Sequence, residues 1–576
     1  MKKAIVFVLL LLLVYTRFIG LDWGLPYPMH PDERNMANAI QQLTCRNLSV
    51  ANYQLSIKDC FNPHFFAYGQ FPLYLGYGLI QLYHLIAGKT GFPINFFEAI
   101  MSLRIISAAA SIITVFVLMH IIKSVTNKQS SITNKFSILV FLFFIFQPYF
   151  IQFSHFGTTE SLLMLFYSLI IYQSLQLIDQ SRSNRDQLKS KTVFLLSLFS
   201  GLVVATKVSS LLFVFAPLVS IGVHYTQARQ STSFLHGVLY VTRQVIFFLL
   251  LMVLFSIIFS PHNLISFRDF VGSMQYESSV ATGSLKVFYT RQFEGIMPVW
   301  FQVTRIFPYV LGWPQYVVAL CGFFLLPWRK KEVNLLRFAF LIYFIPSALL
   351  YAKWTRFMAP IFPIMSVFSI LFLLRIHTYM YQFSIFKHKF LNNLKFLILN
   401  FTLCVLIFAF IAPGIAYLTI YRTPDVRFTA SKWIYQHIPE NAYILFETAN
   451  VVDIPFATSN QQLTTNNYQL IGFNFYDLDE NPLLQGQLDN HIKRADYIFI
   501  PSRRIFKNHP AEKYPLLTNY YNNLFSGVSG FQKVAEFTSH PRIELFGKTL
   551  LEFPDESSEE TWTVFDHPVI RIYQRI

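Results

Sequence analysis

Asp32 and Glu33 stand side by side behind His30-Pro31, in a part of the chain that offers few other carboxylates. They follow directly on the first hydrophobic run, and Pro26, Pro28 and Pro31 limit the backbone around them. A carboxylate held there, at the surface of a bilayer, can accept a proton from an attacking hydroxyl. Asp32 and Glu33 are therefore the first candidate catalytic pair, and the plain alternative is a solvated acidic loop. His30 suits a metal ligand, a hydrogen-bond partner or an interfacial residue, and one histidine beside two acids is weak support for a metal.

A second group is SHFGTTES at 154–161, between two apolar runs. Glu160 sits where the next helix begins, with Thr158 or Thr159 as cap, so helix capping alone accounts for it. Its chemical reading is that Glu160 and His155 line the same cavity as Asp32. The third group is cationic. Lys207 lies inside GLVVATKVSSLLF, where a lysine needs a partner, a wet cavity or a route to the interface. Lys353 and Arg356, in YAKWTRFMAP, offer a point charge and a bidentate fork for a phosphate. Lipid headgroups are the ordinary partner, and the phosphate of a lipid-linked substrate is the specific one.

The elements that must position these groups are membrane helices. The 576 residues are 54% hydrophobic and 18% aromatic, with 13% charged, and the mean hydropathy is +0.42. That balance excludes an ordinary soluble protein. The formal charge of +16 points to the membrane rather than to nucleic acid, because Lys and Arg fall mostly in short gaps between apolar runs. Residues 4–21 read as a retained anchor with a cytoplasmic N-terminus, flanked at the interface by Arg17 and Trp23. Segment 71–87 decides the later topology. If it lies along the surface, the basic gaps at Lys123, Lys128 and Lys135, at Arg182, Arg185, Lys189 and Lys191, at Arg329–Lys331, and at Lys387, Lys389 and Lys395 all fall inside. Further spans are expected near 100–122, 136–152, 160–178, 192–206, 209–225, 244–260, 304–326, 335–351, 357–375 and 396–419, making roughly eleven helices of about 17–25 residues. Residues 22–98, 153–159, the turn near Lys207, 261–303 and 352–356 then face outward. In 261–303, Tyr276, Tyr289, Arg291 and Glu294 suit either a lid or a common surface loop. Cys45 and Cys60 share one outer segment and suit a disulfide or two free thiols.

After Tyr421 the chain turns polar and mixed. VRFTASKWIYQHI and EKYPLLTNYYNNLF read as helices; AYILFE, DYIFIPS, FQKVAEF and TVFDHPVIRIY read as strands. The expectation is a polytopic α-helical catalytic domain over 1–420 and a small extracytoplasmic α/β domain over 421–576, without a nucleotide-binding loop.

HPDE, NPHFFAYGQFPLYL, SHFGTTES, ATKVSS and KWTRFMAPIFP, in that order, resemble the polyprenyl-phosphate-dependent GT-C glycosyltransferases of the family 39 type, which include protein O-mannosyltransferases and lipid A aminoarabinose transferases. The ending TWTVFDHPVIRIYQ resembles the tail of uncharacterised bacterial members. The resemblance implies a GT-C membrane fold, a catalytic acid at Asp32 with Glu33 beside it, and a second acid at Glu160, where the family usually has aspartate. It implies carrier-phosphate contacts at Lys207, Lys353 and Arg356. The family's first-loop lysine has no counterpart in AYGQFPLY. The implied partners are a polyprenyl-phosphate sugar, an acceptor of protein, lipid or polysaccharide, and membrane lipids; a divalent cation is an open cofactor.

Two other classes share these features. A transporter or flippase of lipid-linked sugars expects mid-membrane ionisable residues and paired broken helices. A non-catalytic cell-envelope assembly protein expects only a binding surface. Convergence of Asp32, Glu160 and Lys353 on one cavity favours the transferase, and wide separation favours either rival.

Overall fold

The computed structural model describes residues 2–45, 60–126, 131–181, 190–228, 234–384, 389–448, 454–455 and 468–576. Of the basic gap residues, Lys128, Arg182, Arg185, Lys189 and Lys387 lie outside the described residues. A bundle of apolar helices carries a small sheet domain at one end. Among the described residues, seven helices are long and apolar enough to cross a membrane, the first being Phe96–Val125 and the last Val405–Arg422. Two bent pairs join them, Ser137–Ile145 with Pro148–His155 at 47°, and Gln302–Leu311 with Trp313–Leu325 at 113°. Ala4–Phe18 and Lys191–Thr206 are apolar but shorter.

The first bend has a local cause. Pro148 has no N–H to continue the ladder. Arg17 donates instead to the freed carbonyls of Ile145 and Phe144, at 2.9 and 3.2 Å. Arg17 is thus fully buried and Trp23 nearly so. Both differ from the interfacial flank expected of them, because each is held by a backbone carbonyl of the helix pair 137–155. Trp23 Nε1 donates to His155 O at 2.8 Å.

Successive long helices alternate in direction, so their connections sort to two ends. The segments near 20–33, 60–70, 155–160, 205–210, 260–263 and 353–356 gather at one of them. Gly69 N donates to Thr206 O at 2.9 Å, and a Cβ on Gly69 would meet Ala205 O at 1.9 Å. Only glycine lets the 62–75 segment approach the ATKVSS turn so closely. Helix Phe71–Ile86 keeps both ends at this same end of the bundle. Gln70 N donates to Ser260 Oγ at 3.1 Å, and Ile94 O, just before the next helix, accepts from Gln41 Nε2 at 3.0 Å. Cys45 and Cys60 are disulfide-bonded.

The sheet domain follows helix Val426–His437. Its strands are β1 (Tyr443–Glu447), β2 (Gln469–Phe473), β3 (Tyr497–Ile500), β4 (Phe531–Phe537), β5 (Arg542–Leu545), β6 (Lys548–Glu552) and β7 (Ile570–Arg575). The main sheet runs β2-β1-β3-β7-β4, parallel across β2-β1-β3 and antiparallel at β7. β5 and β6 form a separate hairpin. The strand expected over TVFDHPVIRIY covers only its second half, since the residues before Ile570 fold as a 3-10 turn and bends against the bundle. β2 escaped the sequence reading because it is a mostly exposed edge strand with weak apolar patterning.

Candidate active site

Helix Pro31–Gln42 presents the first acids. Pro31 opens it, and Asp32 and Glu33 fall in its first turn, where the helix dipole favours negative charge. The two carboxylates diverge. Asp32 is partly exposed and ion-paired to Arg356 Nη1. Glu33 is fully buried, accepting from Arg104 Nε and Nη2 at 2.7 and 2.8 Å and from Gly157 N at 2.7 Å. Arg104 also donates to the carbonyls of Leu21 and Trp23. A Cβ on Gly157 would sit 2.8 Å from Glu33 Oε1, so the glycine is what lets its N–H reach the carboxylate. Glu33, expected as a catalytic partner, has both oxygens engaged by Arg104 and Gly157 and does not line the cleft.

A cleft opens between the bundle and the chain's returning C-terminal tail, lined by His30, Thr158, Glu160, Thr355, Arg356 and Phe565 among others. Glu160 is buried at the start of helix Glu160–Ser181. Its Oε1 lies 3.8 Å from Lys207 Nζ. Lys207 in turn sits over the rings of Tyr68 and Phe357, at 5.1 and 5.4 Å from their centroids. Burial, with Glu160, Glu277 and Tyr289 nearby, holds the Tyr68 phenol well above its ordinary range, so it stays neutral. His30 is buried between Phe156 and Phe565, at ring distances of 4.8 and 4.2 Å. Burial, then the charges of Arg356 and Arg104, holds its imidazole well below the usual range, so it is neutral as well. His30 Nδ1 and Arg356 Nε are buried without hydrogen-bond partners. Both atoms belong to residues that line the cleft, so each is open to a further hydrogen bond there.

Two expected residues are not brought here. His155 is fully buried, stacked on Tyr421 at 3.7 Å, with its ring nitrogens against Ile151 O and Ile19 O at 2.7 and 2.8 Å. It packs the bundle behind the cleft. Lys353 turns onto its own turn, donating to Leu350 O and Tyr351 O at 2.7 and 3.0 Å, and burial lowers its pKa.

The C-terminal tail supplies residues that the sequence reading did not single out. Glu559 accepts from Thr355 N and Oγ1, both at 2.8 Å. Arg503 holds the Ser558 and Glu559 carbonyls at 3.1 and 3.2 Å. Arg504 faces Glu560 at 3.8 Å. Deeper, His567 lies between Asp566 Oδ1 (2.6 Å) and Asp555 Oδ2 (2.9 Å), and Tyr421 OH donates to Asp566 Oδ2 at 2.7 Å. Burial opposes the charge on His567, but Asp555 and Asp566 outweigh it and raise the imidazole to about 10. The tail is therefore clamped onto the last membrane helix. One signal was available in the sequence: an acid and a histidine side by side in an otherwise mostly apolar TVFDHPV. The 261–303 segment is likewise tied down, since Arg291 pairs with Asp477 and Glu480 at 3.2 and 2.9 Å and Lys513 pairs with Glu294 at 2.9 Å. Tyr276 and Tyr289 belong to this tethered strap. Among the described residues no group of three His, Cys, Asp or Glu is arranged to hold a metal ion.

No family model matches the chain, and no curated protein matches it. Among solved structures it is similar to the apo oligosaccharyltransferase of Archaeoglobus fulgidus, with 12% identity over 90% of this chain and 72% of that one, at a TM-score of 0.47. It is similar to AglB of the same organism in complex with an inhibitory peptide and a dolichol-phosphate, with 13% identity, the same coverage and a TM-score of 0.49. ArnT from Cupriavidus metallidurans bound to undecaprenyl phosphate shares 12% identity over 87% of this chain and 93% of that one, at a TM-score of 0.45.

Proposed function

We propose that the chain is an inverting glycosyltransferase that moves a sugar from a polyprenyl-phosphate carrier to an acceptor hydroxyl on the outer face of the cell membrane. The observation that carries this reading is the cleft under the C-terminal tail, which Arg356 and Glu160 both line, each ion-paired to a group beside it, Arg356 to Asp32 and Glu160 to Lys207. The acceptor O–H gives its proton to the Asp32 carboxylate as its oxygen bonds to the anomeric carbon. The bond from that carbon to the phosphate oxygen breaks on the opposite face, which inverts the centre. The leaving phosphate takes the electron pair, and Arg356 and Lys207 stabilise its charge. Arg356 has an unused Nε to spend on that phosphate while it releases Asp32.

Orientation follows from the basic gaps. Lys123, Lys191 and Arg329–Lys331 fall at the ends of their helices away from the turns that form the cleft, which by the positive-inside rule supports an extracytoplasmic cleft and 421–576 domain. Nucleotide sugars are absent there, which suits a membrane-borne donor. A transporter would also use broken helices, and the two bent pairs do meet, with Gln315 Nε2 donating to Gln147 Oε1 at 2.7 Å. That contact joins neutral side chains, whereas Glu160 and Arg356 line the cleft with Asp32 and Lys207 as their partners; Lys353 turns away from it, so the convergence that favours the transferase rests on those four residues.

The test is incubation of purified protein in nanodiscs with a panel of polyprenyl-phosphate sugars, following release of the carrier phosphate. Release by the native chain and its loss in Asp32→Asn supports the reading. Undiminished transfer by Asp32→Asn removes its central residue.

A further inference from the structure

The hairpin of β5 and β6 has no packing role in the main sheet, yet it is rich in exposed apolar side chains. Phe546 at its tip is 96% exposed, and Leu545, Leu550 and Leu551 are exposed with it. The pairing register sorts its residues. Ile543 stands opposite Leu551 and Leu545 opposite Lys548, while Arg542 stands opposite Glu552 and Glu544 opposite Thr549, with the register shift between Ile543 and Glu544 leaving Leu550 as the extra residue. Side chains alternate across a strand, and directly opposed residues share a face. One face is therefore Ile543, Leu545 and Leu551 with Lys548 at its edge. The other is Arg542, Glu544, Glu552 and Thr549, on which Arg542 and Glu544 pair at 2.5 Å.

An isolated two-stranded hairpin is marginal in water and needs a surface under its apolar face. The neighbouring surface is the last membrane helix. Arg542 N meets Thr419 Oγ1 at 3.4 Å, and Thr419 lies within the span Val405–Arg422, about one turn from its end. That same helix shows Val405 and Phe408 on its exposed side, so the hairpin continues a lipid-facing surface.

We propose that this hairpin is an interfacial anchor that lays its apolar face and Phe546 into the headgroup and upper acyl region of the bilayer beside the last span. Lys548 then reaches up to lipid phosphates, as long cationic side chains do at such boundaries. The Arg542–Glu544 pair keeps the opposite face toward water. The anchor fixes the height of the tail segment 553–569, which leaves β6 directly and runs to the cleft. The inference needs the membrane bundle only and stands whether or not the chain transfers sugar.

The test places benzoylphenylalanine at 546 in full-length protein held in phosphatidylethanolamine/phosphatidylglycerol nanodiscs, with Val528, an exposed apolar residue after the helix Pro515–Ser526, as the control position. After illumination, adducts are read by mass spectrometry. The expected result is lipid adduct at 546 about tenfold above that at 528, in keeping with the transfer preference of a phenyl side chain. A second position, Leu545, should behave like 546. Adduct to a second copy of the chain, or a lipid yield at both 546 and 545 no higher than at 528, overturns the proposal.

Discussion

Two neighbouring acids on one helix turn have opposite fates. Asp32 is about one-fifth exposed and shares Arg356 with the cleft. Glu33 is sealed with Arg104, its two oxygens accepting three hydrogen bonds from Arg104 and Gly157 in a site closed to water. Consecutive residues on a helix point roughly 100° apart, so a helix lying at the rim of a bundle sends one to the core and the next to the opening. The buried pair holds three segments in register: the first turn after the anchor, the Gly157 turn and the helix Phe96–Val125. The open pair has spare hydrogen-bonding capacity, since Arg356 Nε has no partner. A saturated ion pair serves architecture, and an unsaturated one beside a cleft can exchange its partner for a substrate.

The contrast can be broken most directly at Asp32. Asp32→Asn should lower sugar transfer by about 10²–10⁴ fold while lowering the melting temperature less than loss of the Arg104 contact does, because the amide oxygen still offers Arg356 an acceptor. Arg104→Met should do the reverse, costing about 3–5 kcal/mol of stability by stranding Glu33, read as a lower melting temperature and yield. Arg104→Met combined with Glu33→Leu should recover part of that loss, which separates a stranded charge from a missing contact. Arg356→Lys keeps a charge and loses the fork, so release of carrier phosphate should fall by about ten- to a hundredfold, with the fold intact by circular dichroism.

A smaller effect tests the tail clamp. The His567 imidazole is raised to about 10 in the folded chain, against about 6.5 unfolded. Its stabilisation is therefore complete below about pH 6.5 and is lost progressively as pH rises through about 10. The melting temperature should decline across that window, and His567→Gln should flatten the slope. An equal slope in both proteins would show that the clamp is not the titrating element.

Much of this molecule was legible in its residues. Hydropathy and the basic gaps mark the long helices, because membrane insertion selects length and apolarity locally. Segment 71–87 does form a helix, Phe71–Ile86, of 16 residues. Apolar runs such as AYILFE and DYIFIPS announced β1 and β3 because both their faces are buried. Arg104 was passed over, although a lone arginine in an apolar helix asks for a partner. Its partner lies 71 positions away, beyond any periodic signal. His155 and Lys353 carried the right chemistry at the right turns, but side-chain direction at a turn depends on neighbours from distant helices.

The residues alone specify a basic, multi-helix membrane chain with an acid after its first apolar run and a mixed domain at its end, since composition and short-range pattern suffice for that. Which acid faces the opening, and that residues 553–569 fold back to roof it, depend on contacts between positions as remote as Gln152 and Trp562. Such pairings are set by packing of the whole chain, where a carboxylate's partners, and so its chemistry, are chosen by whatever segment the fold brings beside it.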